Sequence, residues 1–287
     1  MAVIYSNAPE IRELYARLED LMRLAERGEM AVTAFLSPRE VLYAASYCDA
    51  RLREGTACFV GGFALSDNGL LPERRRLVFL PDYTAGMVTA EALTHDPAGA
   101  LEAAGLDDLA AQISEAVCLL LVKGSGFRNL NHRDYLGSVL GLGLERDVLG
   151  DIFVPDEHHA YLACKGEIAD FLVTDLIHVS GDTVRTAKLP AGSAPEIQRK
   201  SSPIRDTVAS ARLDCVVAAL TNFSREKAQT AVRSGLVDLN YETVEACDAT
   251  VEPPCVLSVR GVGKFSVLSF DGETKKGRMR LSAEKYI

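Results

Sequence analysis

No stretch of eighteen or more apolar residues occurs in this 287-residue chain, so it offers no ordinary membrane-spanning helix. The opening Met-Ala-Val-Ile-Tyr-Ser lacks a basic segment followed by an apolar block, and no secretory signal is expected. The seven cysteines (Cys48, Cys58, Cys118, Cys164, Cys215, Cys247 and Cys255) contain no Cys-x-x-Cys pair. That spacing fits neither a disulfide framework nor a zinc ribbon, and reduced thiols packed as small apolar groups in the cytoplasm are expected instead. A Walker loop and a Gly-x-Ser-x-Gly elbow are both missing. No nucleophile and base stand out, so no catalytic residue, no metal and no cofactor is expected.

What is present is an ordinary globular composition, 48% hydrophobic and 25% charged, on a chain long enough for two or three cores. The net charge of −9 argues against a polyanionic partner until the chain is divided. Residues 1–204 carry 19 basic against 29 acidic side chains, whereas residues 205–287 carry 12 against 11. From Cys255 to Ile287 seven basic residues face three acidic ones. Local basic density is what recruits phosphate, because exposed fields decay over roughly 10 Å at ordinary salt.

Hydrophobic spacing predicts a helix over Pro9–Arg27, and Ser37-Pro38 with Glu40 starts a second running to Arg53. Strands are expected at Ala57–Leu65 and Arg76–Leu80 around a Ser66–Gly69 turn, giving an N-terminal α/β domain over 1–83. Thr84–Gln112 reads as helix broken at Asp96-Pro97. Next come a strand (Ala116–Val122), a helix (Arg133–Leu142), two strands (Val148–Val154 and Ala160–Cys164), a helix (Ile168–Ile177) and a strand (Thr183–Leu189). That βαββαβ order is the ferredoxin-like, RRM-like plait, assigned to residues 84–196. Two helices on one face leave the other free, the face RNA-recognition plaits use, although the aromatic base-stacking pair is missing and the third strand carries only Tyr161. Pro190–Ser202 reads as a linker.

The last domain, 205–287, is expected to open with two helices, Leu213–Leu220 and Arg225–Arg233, the second capped by Ser224 and closed at Gly235. Strands follow at Leu236–Asn240, Val256–Arg260 and Lys264–Phe270, the last two joined through Gly261-Val262-Gly263. A basic helix end beside a small basic sheet is suited to gripping phosphates. The whole is α+β in three small domains.

Arg212-Leu213-Asp214, Ser224-Arg225-Glu226-Lys227-Ala228-Gln229, Gly235-Leu236-Val237 and Asn240 resemble the signature of the S-four RNA-binding fold, named after a primary-binding protein of the small ribosomal subunit. His132 to Gly137, Leu142 to Arg146, Gly150-Asp151-Ile152, Gly61-Gly62-Phe63 and Thr274 to Arg278 resemble the YlmH family, so the likeness spans nearly the whole chain. The resemblance implies a bacterial, cytoplasmic, non-catalytic RNA-binding protein associated with rescue of obstructed large ribosomal subunits. Ribosomal RNA and tRNA are the implied partners, without membrane attachment and as a monomer. Carried across, Arg212, Ser224, Arg225, Lys227, Gln229, Arg233 and Asn240 match the RNA-facing motif, and Lys275, Lys276 and Arg278 match a basic tail; Arg260 and Lys264 complete the expected surface. Tyr241 departs from the glycine of many relatives.

Other readings stand beside these. Arg212-Leu213-Asp214 also resembles the triplet of pseudouridine synthases, but an anchoring role for Asp214 in its helix is favoured, since no large catalytic domain follows. His158-His159 reads as a polar loop rather than a metal site, since neighbouring strand residues point to opposite faces. His132-Arg133-Asp134 reads equally as a helix start or a partner contact. Gly124-Ser125-Gly126 reads as a turn. The rival functions are an RNA-modifying enzyme and a cell-division adaptor working through protein contacts.

Overall fold

The computed structural model describes residues 8–63, 72–190 and 201–286. The fold is α+β and divides into two compact units at 198/199.

The first unit opens with α1 (Pro9–Glu26), β1 (Ala31–Val32), α2 (Pro38–Tyr47), α3 (Asp49–Glu54), β2 (Ala57–Val60) and β3 (Arg76–Phe79). Ser37 and Glu40 form a reciprocal capping box at the start of α2, as the Ser-Pro-x-Glu spacing predicts. The long second helix expected to Arg53 is broken at Cys48, which separates α2 from α3. The strands pair antiparallel in the order β1-β3-β2. The Ser66–Gly69 turn lies outside the described residues. One face of this sheet packs Leu77 and Phe79 against Leu14 and Leu18 of α1 and Val41 of α2.

The other face carries Cys58, Val78 and Leu80. It is covered by α4 (Ala90–His95), α5 (Pro97–Ala103) and α6 (Asp107–Ala116) through Leu93, Leu101, Leu109 and Ile113. The helical stretch broken at Asp96-Pro97 therefore belongs to the first sheet rather than to the plait. The boundary expected near residue 83 is not a break in packing, because Val78 and Leu80 need that cover to leave water.

The plait consists of β4 (Val117–Gly124), α7 (His132–Gly141), β5 (Leu149–Asp156), β6 (His159–Lys165), α8 (Ala169–Asp175), β7 (His178–Val179) and β8 (Asp182–Lys188). The strand order β5-β6-β4-β8-β7 is that of the split βαβ plait with one short strand added. Asn131 caps α7 with Asp134 as its reciprocal partner, so His132-Arg133-Asp134 begins a helix. Leu120, Val122, Leu162 and Cys164 face the two helices.

The opposite plait face is not free along its whole length. Phe35 and Phe63 pack onto Leu119 and Ala163 there, with Val117, Phe153 and Tyr161 beside them. Two glycines permit the approach: a Cβ on Gly150 would stand 2.7 Å from Phe35 Cε1, and one on Gly62 would stand 2.9 Å from Val117 Cγ1. Polar bonds close the joint. Arg74 Nε donates to Leu149 O at 3.0 Å, and Asp151 accepts from the Glu73 and Arg74 amides at 2.7 and 3.2 Å. Much of what resembles a family motif in the plait is thus a joint to the first sheet.

The second unit contains β9 (Ser201–Val208), α9 (Leu213–Thr221), α10 (Arg225–Arg233), β10 (Val237–Leu239), β11 (Glu242–Thr243), β12 (Cys255–Val259), β13 (Gly263–Glu273) and β14 (Met279–Tyr286). Its six strands lie in the order β11-β10-β12-β13-β14-β9. Ser201 and Ser202, expected as linker, start β9 and pair with Tyr286 and Lys285. Leu213, Val216, Val217, Ala228 and Val232 from the helices meet Leu257, Val259, Phe265, Val267 and Leu281 from the sheet in a single core.

Candidate nucleic-acid interface

The α9–α10 pair is organised around one buried carboxylate. Asp214, in the first turn of α9, is fully buried. Arg212 donates to both of its oxygens, from Nε at 3.1 Å and from a terminal nitrogen at 3.3 Å. Arg225 reaches Oδ2 at 3.2 Å and Gln229 Nε2 reaches it at 2.8 Å. Burial alone would raise this carboxyl's pKa, but the hydrogen bonds from Arg212 and Gln229 and the charges of Arg225 and Arg212 outweigh it. The group is held well below the usual carboxylate range. Both guanidiniums remain partly open to solvent, Arg212 at 42% and Arg225 at 52% of side-chain exposure. Asp214 orients both cations, and the charge of exposed Asp248 also acts on Arg212.

The other expected residues divide by role. Ser224 spends its hydroxyl on the helix cap, accepting from the Lys227 amide at 3.2 Å. Lys227 lies about 200° round the helix from Arg225 and sits over the Phe223 ring, 3.8 Å from its centroid. Arg225, Gln229 and Arg233 follow one another at intervals of four and make the stripe, so the basic surface of α10 is two patches rather than one. Arg233 and Arg260 are both exposed, and the Arg260 amide bonds to the carbonyl of Leu236, three residues after Arg233. Among the described residues, Lys227, Arg233, Arg260, Lys275 and Lys276 have no carboxylate partner.

Asn240 turns the chain. It and Tyr241 both have positive φ, 49° and 68°, between β10 and β11, the geometry of a two-residue hairpin turn. The asparagine tolerates it by exchanging bonds with Val256, its amide donating at 2.8 Å and its side-chain oxygen accepting at 2.9 Å. Tyr241, despite its departure from glycine, takes the same backbone form and places its ring under Lys264 Nζ at 4.7 Å.

Lys275, Lys276 and Arg278 do not form a tail. They are the tip of the β13–β14 hairpin, closed by the Thr274 amide bonding to Arg278 O at 2.7 Å. Arg278 is used structurally, its guanidinium bonding Thr207 Oγ1 at 2.9 Å and the Thr207 carbonyl. The 11 residues of β13 separate this tip from the Arg260 turn, a span of about 35 Å at the usual rise per residue.

Elsewhere, His159 Nδ1 is engaged by Asp156 at 2.8 Å and His158 Nδ1 lies 3.3 Å from Arg128 O. No group of three His, Cys, Asp or Glu side chains able to hold a metal occurs among the described residues. No helix among them is long and apolar enough to cross a membrane.

Residues 116–192 match a family model described as "Putative RNA-binding domain in YlmH". A solved structure titled "Cell division protein ylmH from Streptococcus pneumoniae" is 16% identical with a TM-score of 0.44, covering 65% of this chain and 96% of that one. The "Ribosome-associated protein quality control protein P2" of Bacillus subtilis (strain 168) is 31% identical over 261 residues, which are 91% of this chain and 89% of that protein. Likeness of that extent makes the chain a member of the YlmH family.

Proposed function

We propose that this protein is a non-catalytic RNA-binding factor of the bacterial cytoplasm that acts on the ribosome, with an S-four-type module at its C-terminus. The finer reading is engagement of the large subunit and tRNA during rescue of stalled translation. The observation that carries it is the Asp214 hub, which holds the Arg212 and Arg225 guanidiniums in place while leaving both half-exposed. Guanidinium forks held in advance lose little freedom on meeting phosphate oxygens. Lys227, Arg233, Lys275 and Lys276 add cations without internal carboxylate partners, and the YlmH relative named for ribosome association supports the choice of target.

Sedimentation with purified large subunits tests the reading. Charge reversal at Arg225, Lys227 and Arg233 together should abolish co-sedimentation at moderate salt. Because Arg225 also holds Asp214, a companion variant reversing only Lys227, Arg233, Lys275 and Lys276 separates binding from folding. Unchanged co-sedimentation of both variants removes the proposal.

A further inference from the structure

The plait carries a feature that the C-terminal module does not account for. Lys123 of β4 lies opposite Arg185 of β8 on one side and His159 of β6 on the other. Residues directly opposite on neighbouring strands share a face, with Cβ atoms about 5 Å apart, and like charges so placed destabilise the sheet. Lys123 and Arg185 are both exposed, and neither has a carboxylate partner among the described residues. Asp156 serves His159 at 2.8 Å, and Asp182 is buried on the Ser125 amide at 3.1 Å, while Glu157 remains exposed nearby.

The loop that follows β4 presents Phe127 at 84% exposure. It is not a loose tip. The Gly124 amide bonds to His158 O at 2.7 Å, the Leu130 amide bonds to Glu157 O at 2.8 Å, and the Phe127 amide bonds to Ser125 Oγ at 3.3 Å. Ser125 Oγ in turn donates to buried Asp182, and Arg128 donates to Ser180 O at 2.9 Å. An exposed aromatic ring on a loop whose backbone is held, with Lys123 four residues earlier in the chain and Arg128 next to it, offers a flat apolar face in a basic segment. Bases inside a helix have both faces covered by their stacked neighbours, so a base in the strand reaches such a ring when it is unpaired and unstacked, and stacking there tolerates any base. An acidic peptide would satisfy the cations but leave the ring without a planar partner.

We propose that this end of the plait is a second RNA-contact site that takes an unpaired segment, one base stacked on Phe127 and neighbouring phosphates on Lys123 and Arg185. The site rests on the RNA-binding reading above and adds to it a preference for single strand beside helix. Anisotropy titrations with the full chain test it, using a blunt-ended RNA duplex of two strands and the same duplex carrying a short single-stranded extension. The extension should tighten binding about tenfold. Phe127→Ala and Phe127→Leu should lose that gain while leaving duplex affinity as it was, and Phe127→Tyr should keep it. Joint Lys123→Ala and Arg185→Ala should lower the salt slope of the extended probe by about 1. Equal affinity of the wild type for both probes, or a gain that survives Phe127→Ala, overturns the plait site and leaves the C-terminal reading standing. Failure of the wild type to bind either probe overturns both.

Discussion

Gln229 of α10 donates to Asp214 of α9 at 2.8 Å, and with Arg225 of the same helix at 3.2 Å it ties together two helices that share an apolar core. The bond matters because Asp214 is fully buried, and a buried carboxylate without partners is strongly unfavourable. Asp214→Asn should destabilise the second unit by about 2 kcal/mol at neutral pH, less than a fully buried pair because both guanidiniums reach solvent. The pH dependence follows from the depressed folded-state pKa. The stabilisation is fully present above the unfolded aspartate value of about 3.9, and it is lost as pH falls through the lower folded value. Urea midpoints of the wild type should therefore fall on acidification below about pH 4, whereas those of Asp214→Asn should fall less. Parallel curves for the two proteins would refute the assignment.

The joint between the plait and the first sheet depends on an absent side chain. Gly150→Ala would drive a methyl to 2.7 Å from Phe35 Cε1 and 2.9 Å from Ala163 Cβ. Overpacking of that kind costs about 1–3 kcal/mol. Phe35→Ala alone, which empties the site, should cost about 3–5 kcal/mol. The double variant should then lose less than the sum, because the methyl occupies part of the space left by the ring. Additive losses in thermal or denaturant unfolding would show that the two residues do not compete for one volume.

Cys118 and Cys164 stand opposite each other on β4 and β6. Each thiol donates to a backbone carbonyl, Cys118 Sγ to Leu119 O at 3.8 Å and Cys164 Sγ to Cys118 O at 3.6 Å. The neighbouring Cys164 side chain lowers the Cys118 thiol, burial works against it and Lys188 assists, whereas Cys164 is pushed up by the same neighbour and by its burial. Iodoacetamide should therefore label Cys118 before Cys48, Cys58 and Cys255, whose thiols burial raises to about 12, 12 and 11. Cys164→Ala should slow that labelling, and Cys164→Ser, which keeps a donor, should largely preserve it. Peptide mass spectrometry over time reads the order directly, and early labelling at Cys58 would contradict it.

Local patterns in the sequence were enough for the elements whose own side chains specify them. The 3.6-residue rhythm of α1, the capping box at Ser37 and the apolar runs of β4 and β6 each carry their signal within a few positions. Two-residue β1 has no such signal and exists only because Ala31 and Val32 find Phe79 and Val78. The edge strand β9, Ser-Ser-Pro-Ile-Arg-Asp-Thr-Val, is largely solvated; its first two residues read as linker and the rest gives no strand signal until β14 supplies its partner. The covered plait face was out of reach for a related reason. Phe35 and Ala163 are far apart in the chain, and nothing in the local pattern around Phe35 announces the contact. In the candidate site, the motif pointed to Arg212, Arg225 and Gln229, which the structure gathers on Asp214. The Ser224 cap was legible, but the motif did not reveal that Asn240 and Arg278 spend their polar groups on the fold, because a turn and a brace look the same in sequence as a ligand contact.

The last distinction can be measured at the β13–β14 hairpin tip, where three basic residues within four positions have different duties. Lys275 and Lys276 are exposed and without carboxylate partners among the described residues, while Arg278 braces the hairpin to Thr207 at 2.9 Å. Lys275→Ala with Lys276→Ala should leave thermal stability unchanged and lower the salt slope of binding to a duplex RNA by about 2, roughly one unit for each phosphate that is no longer neutralised. Arg278→Ala should instead lower stability by about 1 kcal/mol through the removal of its hydrogen bonds, with a smaller change in slope. If Arg278→Ala moved the slope as far as the two lysines together while the melting temperature held, then its principal partner would be the RNA backbone and the brace to β9 incidental.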